Sequence, residues 1–459
     1  MSEIIADIAV IGGGPAGYSA AVQAARIGKR VALVEKAVLG GTCLNHGCIP
    51  TKTLLHSLAL LRSMRDCARF GIIGSACNLD IEKLLERQSE VISIMQSGMV
   101  QLLDKHNVLS ITGEASFSSP RDIEIKSLDD DVMALHADNI IIASGSVPRR
   151  LNVQGGDNPY ILYSNDLLKL KSIPARLLII GGGAVGLELA AIMRGAGSSV
   201  SIVEIAPNIL PYEDTEITSV LERSLKRDGI QIYTNAAVQN IEASRDSAIM
   251  YLSHNNTKTT LEADAICVCV GQQPNLSHLK LDAAYVNYEA RGIVVDSHMR
   301  TSASHIYAAG DVTGENMLAY VATAQGRLAA ANAAGRDEAM HYDAIPHCVF
   351  TTPEIASVGL NEKEASVKGI EIRCLRSLMA ANPYATILGE RRGMAKLIVE
   401  ASSGKLLGAQ LVGSGATSLI SECAMAVKLG ATARDMAHLM HPHPSLAEAL
   451  QEAALSDMN

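Results

Sequence analysis

The chain has 459 residues with 39 basic and 48 acidic side chains, a formal net charge of −9, and is 48% hydrophobic and 19% charged. That length and balance predict several globular domains with sizeable cores and exclude a disordered chain. The negative charge, three Phe and no Trp exclude the cationic, aromatic surface that nucleic acid requires.

The N-terminal MSEIIADIAVIGGG enters an apolar strand almost at once, without a basic region, cleavage site or Arg-rich transit segment, so a cytoplasmic location is expected. Apolar runs stay short of the ~18 residues of a spanning helix, so no membrane partner is expected. Nine dispersed cysteines do not match a secreted disulfide framework, and most are expected to be reduced core residues.

The first elements lie in IAVIGGGPAGYSAAVQAARIGKRVALVEK, Ile8 to Lys36: a buried strand, a glycine turn, an Ala-rich helix and a second strand ending in Glu35. The pattern returns in LLIIGGGAVGLELAAIMRGAGSSVSIVEI, Leu177 to Ile205, with Gly12, Gly14, Gly17 and Glu35 recurring 169 residues later as Gly181, Gly183, Gly186 and Glu204. The first glycine permits the turn, the second lets a pyrophosphate approach the backbone, and the third lets helix and strand pack closely. The helix start attracts the phosphates, and the strand-end carboxylate accepts hydrogen bonds from a ribose diol. A lone GxGxxG also serves plain strand-to-helix packing, but two complete copies at one spacing predict two dinucleotide sites. No Lys or Arg follows Glu204 before Arg223, which favours NAD over NADP at the second, where a carboxylate repels the extra phosphate.

Between the repeats stands GGTCLNHGCIPTK, Gly40 to Lys52, with two cysteines at the start of an apolar helix. Residues five apart on an ideal helix have Cα atoms about 8.6 Å apart, whereas a disulfide wants about 4.4–6.8 Å. Cys43 and Cys48 can therefore bridge only if the helix is broken around them, and Gly40, Gly41, Gly47 and Pro50 supply the means. Lys52 falls one turn after Cys48, where its charge acts on a thiol or an electron-rich ring. Two buried free thiols near a helix start are the plainer alternative.

Asn139 to Pro148 and His305 to Gly314 read as strands running into small-residue turns, the latter presenting Asp311 either to a ligand hydroxyl or as a helix cap. Cys267 and Cys269 in ADAICVCVG follow a buried-strand pattern and are assigned to core packing rather than metal binding. From about Ile345 the pattern becomes a separate α+β domain, in which MAKLIVEASSGKLLGAQLVG predicts two strands around a Ser-Gly turn and TSLISECAMAVKLG a helix. In the terminal HPHPSLAEAL, Ser445 and Glu448 spell a capping box, and His441 and His443 each precede proline, which places them on a loop.

Taken together, GGGPAG with Glu35, GGTCLNHGCIPTK, the turn Ala143 to Gly145, GGGAVGLE, the stretch from Gly271, YAAGD, FTTPEIASVG and HPHPSLAEAL resemble the FAD-dependent pyridine nucleotide–disulfide oxidoreductases over essentially the whole chain. The resemblance implies an α/β chain with two Rossmann-like domains and a C-terminal α+β dimerisation domain. Its implied divisions are 1–145 for FAD, 146–271 for NAD, 272–344 completing the FAD site, and 345–459 for the homodimer interface. Gly12, Gly14, Gly17 and Glu35 would bind the adenosine end of FAD and Asp311 its ribitol, Gly181, Gly183, Gly186 and Glu204 would bind NAD, and Gly145 and Gly271 would also belong to the cofactor sites. Cys43 would exchange with substrate, Cys48 would face the flavin, and Lys52 would lie near the flavin N5, paired with Glu188. His443, oriented by Glu448 and followed by a cis proline bond, would be the base, with His441 a bystander.

The implied reaction is oxidation of protein-bound dihydrolipoamide with NAD+, on a lipoyl-bearing protein of a 2-oxo acid dehydrogenase complex or the glycine cleavage system. Alternatives are a sibling disulfide or mercuric reductase, disfavoured by Glu204 and by the absence of thiols in ALSDMN, and a non-catalytic flavoprotein redox sensor. Gln272, Tyr320 and Thr352 depart from common family residues, and Ala184 predicts an open nicotinamide pocket. No metal is expected.

Overall fold

The computed structural model describes residues 3–74 and 77–457. The chain forms two compact units, one of residues 1–54, 80–149 and 271–341, the other of residues 55–79, 150–270 and 342–459.

The first unit is built on a seven-stranded sheet. Strand β1 (Glu3–Ile11) pairs in parallel with β2 (Val31–Glu35) on one side and with Val132–Ile142 on the other. The two parallel neighbours are joined to β1 through helix α1 (Pro15–Arg26) and later connections, so β1 is central and nearly continuous in apolar residues, as a strand buried on both faces must be. Strand Ile306–Ala308 returns from far along the chain to lie parallel beside Val132–Ile142, which brings Gly310 and Asp311 to the same end of the sheet as the first glycine turn. Helix α1 packs through Ala16, Ala20, Ala21 and Ala24, small side chains that allow close approach to the sheet.

The second unit repeats the theme. Its five-stranded sheet is entirely parallel, in the order Gln231–Tyr233, Ser199–Val203, Arg176–Ile180, Ala265–Val268, Ile161–Tyr163. A three-stranded antiparallel meander over residues 236–263 covers one face with Met250 and Leu252. The C-terminal part is a five-stranded antiparallel sheet backed by helices Ala416–Leu429 and Glu448–Leu455. Its strands Met394–Glu400 and Leu406–Gly413 flank the predicted Ser-Gly turn, and the predicted helix follows directly.

One buried ion cluster ties this second unit together. Lys396 is 2% exposed and its Nζ lies 2.7 Å from Asp214 and Glu362 and 3.0 Å from Glu216. Asp214 also caps helix Thr215–Arg227 by accepting from the Glu216 and Ile217 amides. Removing the ammonium strands a buried carboxylate, so Lys396→Met is expected to cost about 3–5 kcal/mol, read as a lowered unfolding midpoint of the C-terminal part. No helix among the described residues is long and apolar enough to cross a membrane.

Candidate functional site

The two glycine turns are built alike. Gly12 and Gly181 adopt φ +103° and +112°, and a Cβ on either would lie 2.3 Å from a carbonyl oxygen, of Ala143 and Cys269 respectively. Gly17 and Gly186 pack so near the turn that a Cβ would meet the oxygens of Gly12 and Gly181 at 1.7 and 2.1 Å. Each turn thus demands the residue that the repeat places there.

The strand-end glutamates hold the turns in shape. Glu35 accepts from the amides of Gly13 at 2.7 Å and Ala37 at 3.0 Å, and Glu204 accepts from Gly182 at 2.6 Å and Ala206 at 2.7 Å. Every one of these atoms is again 169 residues from its counterpart. Each carboxylate oxygen keeps a second lone pair for a ribose hydroxyl. A Cβ on Gly183 would meet nothing within 4 Å, so the backbone there is open to a phosphate.

The helix does break between the cysteines. Helix α2 (Gly41–His46) ends, Gly47 departs to φ −137° and ψ −106°, and α3 (Cys48–Arg65) begins. Pro50 thereby falls in the first turn of a new helix, where a missing amide proton costs nothing. The two thiols hydrogen-bond one another. That shared bond and burial push the Cys43 thiol far above the ordinary range, while the Lys52 ammonium acts in the opposite sense.

This dithiol sits directly on the first glycine turn. Gly40 donates its amide to the Gly13 carbonyl at 2.9 Å, and a Cβ on Gly41 would lie 2.7 Å from the Gly14 Cα. The paired glycines of GGTC are therefore needed for α2 to cross the turn. Asn45, which sequence reasoning passed over, secures the arrangement: its Nδ2 donates to the carbonyls of Val38, Leu39 and Gly41, and its Oδ1 accepts from Gln96 Nε2 at 2.6 Å.

Asp311 accepts from Ser146 Oγ at 2.6 Å, and burial raises its carboxyl above the usual carboxylate range. Its side chain caps no helix. Of the two roles open to it, the ligand-facing one matches a partly desolvated carboxylate with acceptor capacity left over. Gly145 and Gly271 have positive φ and nothing within 4 Å of an added Cβ.

In the second unit, His443 Nδ1 lies 2.8 Å from Glu448 Oε1, with the imidazole 70% exposed. The His443–Pro444 bond is cis, as the resemblance implies, and Thr352–Pro353 is cis as well. Only half of the capping box forms: Glu448 Oε2 accepts the Ser445 amide at 2.7 Å, but the Ser445 hydroxyl has no hydrogen-bond partner. The imidazole and that amide hold the Glu448 carboxyl below its usual value. His441 is not surface-like: its Nε2 meets Glu422 Oε1 at 3.0 Å, its Nδ1 the Leu439 carbonyl at 3.1 Å, and its side chain is 4% exposed.

The structure distributes the predicted residues over both units. Gly12, Gly14, Gly17, Glu35, Cys43, Cys48, Lys52, Gly145, Gly271 and Asp311 belong to the first, and Gly181, Gly183, Gly186, Glu188, Glu204, His443 and Glu448 to the second. Buried Glu188 accepts the Phe350 amide at 3.0 Å, joining helix Ala184–Ala196 to the FTTPEIASVG segment.

Residues 6–326 match the pyridine nucleotide-disulphide oxidoreductase model, and residues 345–454 match the dimerisation domain of the same group. The chain belongs to the pyridine nucleotide-disulphide oxidoreductase family. FAD and NAD are the family's cofactors, and the glycine cradles and strand-end carboxylates fit two such dinucleotides. Similar curated proteins include dihydrolipoyl dehydrogenase of Bacillus subtilis, 38% identical over 98% of each chain, and that of Chlorobaculum tepidum, 38% identical over 98% of this chain and 96% of the relative. Among solved structures, LpdA from Mycobacterium tuberculosis superposes with a TM-score of 0.91 at 28% identity over 100% of both chains. A Cu(II) complex of the HOCl-induced flavoprotein disulfide reductase RclA from Escherichia coli gives 0.90 at 29% identity, covering 99% of this chain and 100% of that one.

Proposed function

We propose that the chain oxidises protein-bound dihydrolipoamide to lipoamide, with NAD+ as final acceptor, as a cytoplasmic homodimer serving a lipoyl-bearing complex. The observation that carries this reading is the thiol pair of Cys43 and Cys48 seated on one dinucleotide turn of a chain that has a second. The domain division of residues 1–145, 146–271, 272–344 and 345–459 belongs to the same reading.

His443, its ring held through Nδ1 by Glu448, takes the proton from a substrate thiol at Nε2, since the thiolate is the attacking species. That thiolate attacks Cys43 in the oxidised Cys43–Cys48 bridge, and the bond to Cys48 breaks. The second substrate thiolate then closes the lipoamide ring on the sulfur bound to Cys43, and leaves Cys43 and Cys48 carrying the electron pair. Bound FAD supplies the two-electron relay from this dithiol to NAD+. Lys52 is assigned to the flavin edge and steadies thiolate charge at the cysteines.

The exposed imidazole of His443 needs a partner surface to exclude water. Met425, Leu429 and Met440 are 60%, 74% and 93% exposed in the dimerisation domain, an apolar set suited to a second copy that also delivers His443 to the neighbouring dithiol.

Asp311 is assigned to a flavin ribitol hydroxyl. Its folded-state pKa is raised, so its contribution to stability is present below the ordinary aspartate value and lost as pH rises through the folded value; at neutral pH its charge is a cost. Asp311→Asn is therefore expected to weaken FAD binding about tenfold or more, while the FAD-free protein melts no lower than wild type. Fluorescence titration with FAD and a thermal scan check the two halves.

The experiment for the function is a panel of lipoamide, glutathione disulfide and mercuric ion, each with NADH and NADPH. Lipoamide with NADH is expected to dominate. Preference for glutathione disulfide or mercuric ion overturns the substrate, preference for NADPH overturns the reading of Glu204, and no turnover of any pair supports the sensor role.

A further inference from the structure

A second pair of thiols lies beside the second glycine turn. Cys267 is in strand Ala265–Val268 and Cys269 follows directly after it. Extended backbone places residues two apart on one side, and the two sulfurs are 3.6 Å from each other. Cys267 is fully buried, while Cys269 is partly exposed and offers the way in. Core packing explains the burial of Cys267 but requires no second sulfur at its side.

The separation suits two sulfurs bound to one soft atom: bonds near 2.3 Å at a tetrahedral angle span about 3.8 Å. Among the described residues, no group of three or more His, Cys, Asp or Glu is placed to hold a metal ion. A ligand satisfied by two thiolates is required, and a trivalent arsenical is one. The pair is also mechanically joined to the turn. The Cys269 amide donates to the Ile180 carbonyl at 2.7 Å, and the Cys269 carbonyl occupies the space that a Cβ on Gly181 would need.

We infer that Cys267 and Cys269 form a binding site for trivalent arsenicals and similar thiophiles, and that its occupation weakens nucleotide binding at the Gly181–Gly186 turn. With an arsine oxide, two As–S bonds form, the arsenic–oxygen bond breaks, and both thiol protons leave in one water; no electrons are transferred. Capture stands on the sulfur geometry alone, whereas the effect on the nucleotide rests on the reading of that turn as the NAD site.

The test uses FAD-loaded Cys43→Ser/Cys48→Ser protein, which lacks the first dithiol, treated with phenylarsine oxide. The expected result is one bound equivalent, mapped by peptide mass spectrometry to Cys267 and Cys269, with NAD affinity lowered at least tenfold. Adding Cys267→Ala is expected to abolish capture. No capture, capture that maps to other cysteines, or capture that survives Cys267→Ala overturns the site. Capture at the pair with unchanged NAD affinity overturns the coupling. If the untreated protein binds no NAD, the nucleotide reading falls, and the mapping still decides the arsenical site.

Discussion

Cys48→Ser is expected to lower NADH formation from dihydrolipoamide by at least about 10⁴-fold, the scale on which removal of an essential reacting group acts. The variant should keep its FAD, because Cys48 opens α3 beyond the Gly47 break and is no part of the glycine turn itself. The loss follows from electron counting. With a single sulfur no Cys43–Cys48 bridge can form, so the chain has no disulfide for the substrate thiolate to attack and no dithiol to carry the electron pair. Cys43→Ser should be equally inactive, since the same bridge is then absent. Oxidised lipoamide distinguishes the two: only the Cys48→Ser protein, whose Cys43 thiol opens the lipoamide disulfide by exchange, is expected to accumulate the covalent adduct, read by mass spectrometry under non-reducing conditions. Appreciable turnover in either variant contradicts the dithiol route.

His443→Ala is expected to slow the same reaction about 10²–10⁴-fold, the usual contribution of a positioned general base. The geometry explains why the loss is not total. The base generates the substrate thiolate, and raising the pH generates it without help, so part of the lost rate should return in alkaline buffer. Glu448 acts through the ring that it holds at 2.8 Å, and Glu448→Gln should have a smaller effect because a side-chain carbonyl still accepts the Nδ1 proton. The folded-state pKa of Glu448 is depressed. Its pairing therefore stabilises the fold above the ordinary carboxylate value and is lost only as the pH falls through the lower folded value. A wild-type rate that is insensitive to His443→Ala between neutral and alkaline pH contradicts the assignment.

How far the sequence foretold this architecture depends on the range of the interaction. The repeat was legible because strand, turn, helix and acid lie within about thirty residues, and each glycine answers a local steric demand. The helix break was legible for the same reason, since Gly47 and Pro50 bear on neighbouring backbone. What Glu35 and Glu204 do was only half legible: a strand-end carboxylate was read toward a ribose, but its grip on the glycine-loop amides needs the sheet to bring residues 22 apart into contact. Asn45 with Gln96, Ser146 with Asp311, and His441 with Glu422 are pairings of ordinary polar residues without a spacing signature. The Lys396 cluster draws Asp214 from 182 positions upstream and adds Glu216 and Glu362, and nothing in a strand reading MAKLIVE marks its lysine as buried among acids. The terminal capping box shows the opposite error, where a good local match is realised only through the carboxylate because the helix starts at Glu448, with Ala447 rather than Ser445 at its N-cap.

In the proposed reaction the sulfurs of Cys43 and Cys48 exchange an electron pair with the nicotinamide by way of bound FAD. Oxidised, FAD-loaded protein treated anaerobically with NADH and then alkylated measures this directly. The predicted result is that Cys43 and Cys48, both blocked before treatment, become alkylated together after it, with no lipoamide present. If NADH is consumed while both positions stay blocked, or if the pair never enters a reducible bridge, the proposed route is wrong.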